Sequence, residues 1–232
     1  MAGTALADGI NLVWSDTGLY LFQYTGSEFV YDDRLAGTNC GLVGQLAFAK
    51  ASGVAYWMSG QRFLMYAGGV VPIPRAGDIS DFVFRGMGPA QIAKTWARYD
   101  EKNNQIRWHY CSTGATEPDR YVDVALDDHN WTTGTYDGTT GTLFRPADAS
   151  SLIVSADGYI FNQDEGLDDD GAAMESYITF GEYAIARSEQ NADVMGFVPD
   201  FERHVGALSV EMFTKDRPDS TSHFDEQTVT LT

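Results

Sequence analysis

Short apolar and aromatic runs recur from position 10 onward, separated by clusters of Gly, Ser, Asp and Asn. Ile10–Trp14 reads as a strand, Ser15–Gly18 as a turn, and Leu19–Phe22 as the start of the return strand. A second turn at Thr25–Ser27 leads into Phe29–Tyr31. The same order returns at Val54–Met58, a turn at Ser59–Gly60, Arg62–Tyr66, and Ala67–Gly69 ahead of Val70 and Val71. The clearest hairpin joins Thr95–Tyr99 to Gln105–Cys111 through Asp100–Asn104. Its turn is polar, and Asn tolerates the left-handed backbone that such turns require. Arg120–Leu126 reads as the next partner strand, and Asp127–Asn130 turns into Trp131. A further hairpin runs from Leu152–Ser155 through Ala156–Gly158 to Tyr159–Phe161. One or two helical turns around Pro89–Lys94, with Pro at the first position, are the only helix expected.

The spacing suggests a repeat. Trp14 maps on Trp57, 43 positions on, and Tyr24 on Tyr66, 42 positions on. A period of about 40 to 50 residues is what one four-stranded propeller blade consumes. The expected fold is therefore all-β: a β-propeller-like array of about four hairpin blades over residues 1–172. A different β segment, sandwich-like, is expected over 173–232. There Ser176–Phe180 and Tyr183–Ile185 read as strands, a charged loop spans 187–193, and Val205–Phe213 and Gln227–Leu231 follow. Thr228–Thr232 stops in mid-strand, so a C-terminal truncation is expected as well.

Composition agrees with many strands and tight turns: 44% of residues are apolar and 13% aromatic, with 24 Gly and 12 Tyr. This is enough to bury one sizeable core. No apolar run approaches the roughly 18 residues of a membrane span, and Met1–Ile10 lacks the basic and apolar regions of a secretory signal. Work in solution, away from membranes, is the expectation. The net charge is −18, from 33 acidic and 15 basic residues. Tight nucleic-acid binding needs clustered cations against phosphates, so this surface repels DNA. Cys40 and Cys111 lie 71 positions apart and outside any Cys-x-x-Cys pair; buried free thiols are favoured, with a disulfide left open.

Candidate chemistry is thin. The acidic run 164–171 offers Asp164, Asp168 and Asp170 as weak ligands for a hard cation. Aligned as an EF-hand on Gly171, however, it has Gly166 at the first position and Tyr177 where a bidentate Glu is required. His109, His129, His204 and His223 lack metal-ligand spacing; His109 and Cys111 share a strand face, but two ligands do not make a zinc site. Glycosidase carboxylates or sialidase-like arginines would come from Asp16, Asp78, Asp81, Asp157, Arg34, Arg62 and Arg98, all in turn-like or hairpin context. Ser155–Gly158 is similar to the Asp-box turn of sialidases but lacks its spacing. No nucleophile elbow, phosphate loop or dinucleotide fingerprint is present. Trp14, Trp57, Trp96, Trp108 and Trp131 offer stacking platforms in principle, but packing between sheets accounts for them better. No catalytic or cofactor-binding residue is assigned, and no cofactor is expected.

One ordered set of motifs goes further. Ala55–Gly69 is followed by Val71–Pro74, Asp81–Phe84, Gln91–Lys94, the Tyr99–Trp108 hairpin, Arg120–Val122 and Trp131–Gly134. Val198–Phe201 and Ser209–Pro218 continue the series, which covers about residues 40 to 220. This order resembles tailed-bacteriophage proteins with β-propeller domains, the packaged-DNA stabilisation and tail hub or nozzle proteins. The resemblance implies a structural virion protein, assembled in the host cytoplasm, and not an enzyme. It implies a six-fold ring of copies beneath the portal, in contact with portal, adaptor or other tail proteins. Such a ring extends the DNA channel, retains the genome and passes it at ejection without tight binding. An acidic lining, with Asp127, Asp128 and the 164–170 turns facing channel or solvent, would reduce sticking. The competing expectation is a carbohydrate-binding or glycoside-hydrolysing propeller, distinguished by carboxylates and aromatics clustered in a central concavity.

Overall fold

A computed structural model describes residues 1–6, 9–26, 28, 30–135, 138–143, 151–155, 157–163, 166, 168–169, 171–173, 177, 208–215 and 225–231. The fold is all-β, built from antiparallel sheets of strands adjacent in sequence. The chain divides into two compact units, Met1–Leu167 and Asp168–Thr232.

In the first unit, β1 (Ala2–Ala5), β2 (Ile10–Trp14), β3 (Gly18–Tyr24) and β4 (Tyr31–Thr38) form one four-stranded meander. The second comprises β5 (Phe48–Ala51), β6 (Val54–Ser59), β7 (Arg62–Tyr66) and β8 (Val70–Pro72). The third comprises β9 (Trp96–Asp100), β10 (Gln105–Tyr110), β11 (Arg120–Ala125) and β12 (Trp131–Thr135). A three-stranded sheet follows, of β13 (Thr140–Leu143), β14 (Ser151–Val154) and β15 (Ile160–Asn162). Local chemistry fixes the turns. Asp100 accepts hydrogen bonds from the amides of Lys102 (3.1 Å) and Asn103 (3.3 Å) and from the Asn103 side chain (2.9 Å). Asn104 takes the left-handed backbone expected of it, with φ 49°.

The sheets pack face against face through two apolar layers. Leu12, Trp14, Leu19 and Leu21 of the first sheet meet Ala55, Trp57, Leu64 and Tyr66 of the second. Tyr56, Met58 and Phe63 on the second sheet's other face meet Ile106, Trp108, Tyr110, Val122 and Val124 of the third. Phe63 lies 5.2 Å from Trp108 and 4.8 Å from Trp131, ring centre to ring centre. This arrangement corrects the repeat register read from sequence. Trp14 and Trp57 sit on facing sheets and touch edge to face at 5.6 Å, so they are two sides of one layer. The equivalent positions are Trp57 and Trp108, each turned toward the preceding sheet. Each indole donates to a backbone carbonyl, of Cys40 (2.8 Å) and Ala47 (3.2 Å) respectively.

Two helical segments connect the second and third sheets. The 3₁₀ helix Pro89–Lys94 occurs where Pro89 predicted it. The α-helix α1 (Gly77–Gly86) is a further helix that the sequence reading omitted. Its bounding glycines and short apolar stretch carry little helical signal. Burial of Val83 against the second layer fixes it instead, with Asp78 in its first turn and Arg85 in its last.

In the second unit, β16 (Asp168–Asp169) pairs with β17 (Ala172–Ala173), and β18 (Leu208–Thr214) pairs antiparallel with β19 (Asp225–Leu231). Burial alternates along β18, as its apolar–polar pattern requires. The strands expected at 176–180 and 183–185 lie outside the described residues, apart from Tyr177. Among the described residues no helix is long and apolar enough to cross a membrane.

Candidate functional site

Three places in the first unit concentrate chemistry. The first is a buried polar layer on the face of the third sheet turned away from the second. Strand alternation puts Trp96, Arg98 and Asp100 of β9, Arg107 and His109 of β10, and Tyr121 and Asp123 of β11 on that face. Arg107 stands directly opposite Asp123, and its Nε and one terminal nitrogen donate to the two carboxylate oxygens, both at 2.7 Å. The guanidinium also lies 4.3 Å over the Tyr121 ring. Arg98 donates to the Gln163 side chain. His109 is fully buried and stacks on Trp96 at 3.9 Å. Burial holds its pKa well below the usual imidazole range, and the nearby Arg98 and Arg107 cations push it the same way. His109 is therefore neutral at pH 7. Arg107 and Asp123 are matched to each other across neighbouring strands, and Asp100 is held by its own turn, which makes the layer a structural brace within the third sheet.

The second place is a cavity of about 720 Å³ near the starts of β1, β9 and β13 and the connection into β5. Its walls come together because two glycines allow backbone to approach backbone. A Cβ on Gly41 would fall on the carbonyl oxygen of Asp16, and one on Gly44 would stand 2.7 Å from the Ala93 carbonyl oxygen. The charged side chains in the lining are Asp16, Lys94 and Glu117. Lys94 donates to Glu117 and to the Thr116 carbonyl (2.7 Å), so that cation is already engaged. Trp14 and Thr95 line the cavity, and both are at least 99% buried. Among the described residues, Trp14 Nε1 and Thr95 Oγ1 have no hydrogen-bond partner.

The third place is the outer face of the first sheet. Opposed pairs share a face, so Val13, Tyr20 and Leu35 stand together, as do Tyr24 and Tyr31, whose rings meet edge to face at 5.9 Å. This face is turned away from the second sheet. Tyr24 is 62%, Tyr31 58% and Leu35 50% exposed. The corresponding faces of the second and third sheets are each covered by the preceding sheet.

The residues singled out in the sequence do not assemble. Of Asp16, Asp78, Asp81, Asp157, Arg34, Arg62 and Arg98, Asp16 alone lines the cavity. Asp78 and Asp81 are on α1, where exposed Asp81 pairs with Arg85 at 3.1 Å. Arg62 donates to the Asn39 carbonyl, and Arg34 borders a shallow cleft beside Asp32. Asp157 sits in an exposed turn closed by Gly158, with φ 88°, and by the Gly158 amide on the Ser155 carbonyl (3.2 Å). Asp168 lies in the short β16–β17 hairpin; Asp164, Asp170, His204 and His223 lie outside the described residues. Among the described residues no cluster of three or more His, Cys, Asp or Glu could hold a metal. Asp127 and Asp128 are exposed. Cys40 and Cys111 are buried free thiols, and burial pushes both pKa values up. The five tryptophans serve in packing or buried hydrogen bonds; Trp131, the least buried, still donates to the Pro74 carbonyl at 3.0 Å.

Sequence reading missed the brace because Arg107 and Asp123 are 16 positions apart and look like solvent-facing strand residues. The available signal was charge opposition on neighbouring predicted strands, which acts only once the register is known. No protein-family model and no curated protein matches the chain.

Proposed function

We propose that this chain is a structural protein of a tailed-bacteriophage tail, of hub, nozzle or adaptor type. Its consecutive meanders form a propeller-like array, and copies of the chain join into a six-fold ring that extends the DNA channel. The observation that carries this reading is the uncovered aromatic face of the first sheet. Each comparable face within the chain is covered by another four-stranded sheet, and a second copy brings such a sheet. Tyrosine-rich faces rimmed by polar residues are typical contact surfaces between proteins.

Two further features support the reading. The net charge of −18 suits a wall past which DNA moves without being held. Buried Arg107 and Asp123 of the third sheet pair with each other, as in a load-resisting strut. Portal, adaptor and neighbouring tail proteins are the partners this role requires, the virion is its location, and no catalytic step is assigned to it.

Mass photometry and negative-stain microscopy of the purified chain test the proposal. A discrete closed ring is the expected result. Tyr31→Glu, placing a charge on the exposed face beside Tyr24, is expected to shift it to monomer while leaving the unfolding midpoint within the small range of surface changes. A protein that stays monomeric at all concentrations and releases reducing sugar from glycans would overturn it. So would a ring whose lumen is basic.

A further inference from the structure

We infer that copies of this chain join head to tail, with the outer face of the fourth sheet, β13–β15, covering the aromatic face of the next copy's first sheet. The inference rests on the assembly reading above and deepens it by naming the partner surface. Within the first unit the sheets pack in chain order, the first on the second and the second on the third. The fourth sheet continues that order. Ile153 of β14 is buried against Trp96 and Tyr121 of the third sheet, and Gln163 accepts a hydrogen bond from Arg98. Strand alternation turns Leu152 and Val154 the other way, with Asn162 opposite Leu152 and Ile160 opposite Val154. Leu152 and Val154 are half-buried, Asn162 is exposed, and Ile160 is 67% exposed. The series of sheet-on-sheet contacts thus ends in two free faces, one on the first sheet and one on the fourth.

Charge selects the pairing. With a net charge of −18, copies repel one another over most of their surface, and contact is least opposed where charge is absent. Both free faces are such places. At the outward positions of β1–β4, Asp33, which stands opposite Phe22, is the one charged residue; Asp32 and Arg34 fall on the inner face. On the fourth sheet Thr140, Leu152, Val154, Ile160 and Asn162 are all uncharged. Loss of charge together with exposed aromatic and aliphatic side chains marks the centre of a protein interface. A two-fold contact between two first sheets would place two Asp33 carboxylates in one interface and leave the fourth sheet uncovered. A head-to-tail contact sets Asp33 against an uncharged face and covers both free faces with the same kind of layer that joins the sheets inside the chain.

Sedimentation velocity and native mass spectrometry of the intact chain test the pairing with one block at each end. Tyr31→Glu charges the first-sheet face and Ile160→Glu the fourth-sheet face. Each variant alone should self-associate roughly ten-fold or more weakly than the native chain and run as a monomer, because a charge would be buried in an uncharged layer. Mixed in equal amounts, the two should form a dimer with one copy of each, since one intact face of each kind remains. Asn162→Asp repeats the fourth-sheet block at an exposed polar position, where folding does not depend on the side chain, and should act in the same direction. A native-like assembly of both Ile160→Glu and Asn162→Asp, or a mixture that stays monomeric, would overturn the pairing. If the native chain forms a closed ring that both fourth-sheet variants preserve, the pairing fails and the ring stands. If the native chain forms open filaments, and the blocked variants still combine into a mixed dimer, the closed ring fails and the pairing stands. A native chain that is monomeric at all concentrations overturns both.

Discussion

The two faces of the third sheet are both buried, yet they are held by opposite physics. Toward the second sheet, Ile106, Trp108, Val122 and Val124 are fully buried in a layer of aromatic and aliphatic contacts. On the reverse face, Arg98, Asp100, Arg107, His109 and Asp123 are almost equally buried and charged or polar. Hydrophobic burial is non-directional, so the first face fixes how close the sheets lie more strongly than how they are aligned. A bidentate guanidinium–carboxylate pair is satisfied at one geometry, so Arg107–Asp123 on the second face favours one register of β10 against β11. The comparison teaches that stability and register need not be supplied by the same side of a sheet. An ionic layer contributes little net stability over an apolar one, but it is costly to break on one side.

That contrast yields predictions of decreasing size. Asp123→Ala leaves Arg107 buried without its carboxylate and should destabilise by about 3–5 kcal/mol in denaturant unfolding. Replacing both partners, Arg107→Met with Asp123→Leu, should recover most of that loss; if the double variant is no more stable than the single one, the brace is not a two-partner device. Next in size is a pH effect. The folded-state pKa of His109 is depressed, so below pH about 6.5 the unfolded chain takes up a proton that the folded chain refuses. Stability should fall as pH drops from 6.5, by up to about 1.4 kcal/mol per pH unit from this group. Thermal unfolding of His109→Gln across pH 7 to 5 should show a shallower slope than the native protein, and matching slopes would show that His109 does not contribute. The smallest effect belongs to the apolar face, where Ile106→Val should cost about 0.5–1.5 kcal/mol with no change in pH dependence. A larger loss there than for Asp123→Ala would invert the comparison.

Much of the fold was legible because it is local. The Asp100–Asn104 turn follows from turn-forming side chains, the Pro89 helix from the fixed φ of proline, and the strands from aromatic and β-branched runs. β1 and β5 were less visible, since Ala2–Ala5 and Phe48–Ala51 carry small residues in place of an apolar alternation. α1 was hidden because helix formation over ten residues depends on what Val83 packs against. The site was the least legible part. The cavity draws residues from Met1 to Thr140, and no spacing along the chain announces such a meeting.

By itself, then, the sequence determined an all-β chain of short antiparallel hairpins, its turn positions and its acidic charge. These depend on side-chain chemistry within a few residues. Tertiary structure alone decided that Trp14 faces Trp57, that Arg107 meets Asp123, and that Trp14 and Thr95 keep unpaired donors beside a cavity. A one-residue change of strand register turns every side chain to the opposite face, and register is settled only when the sheets pack.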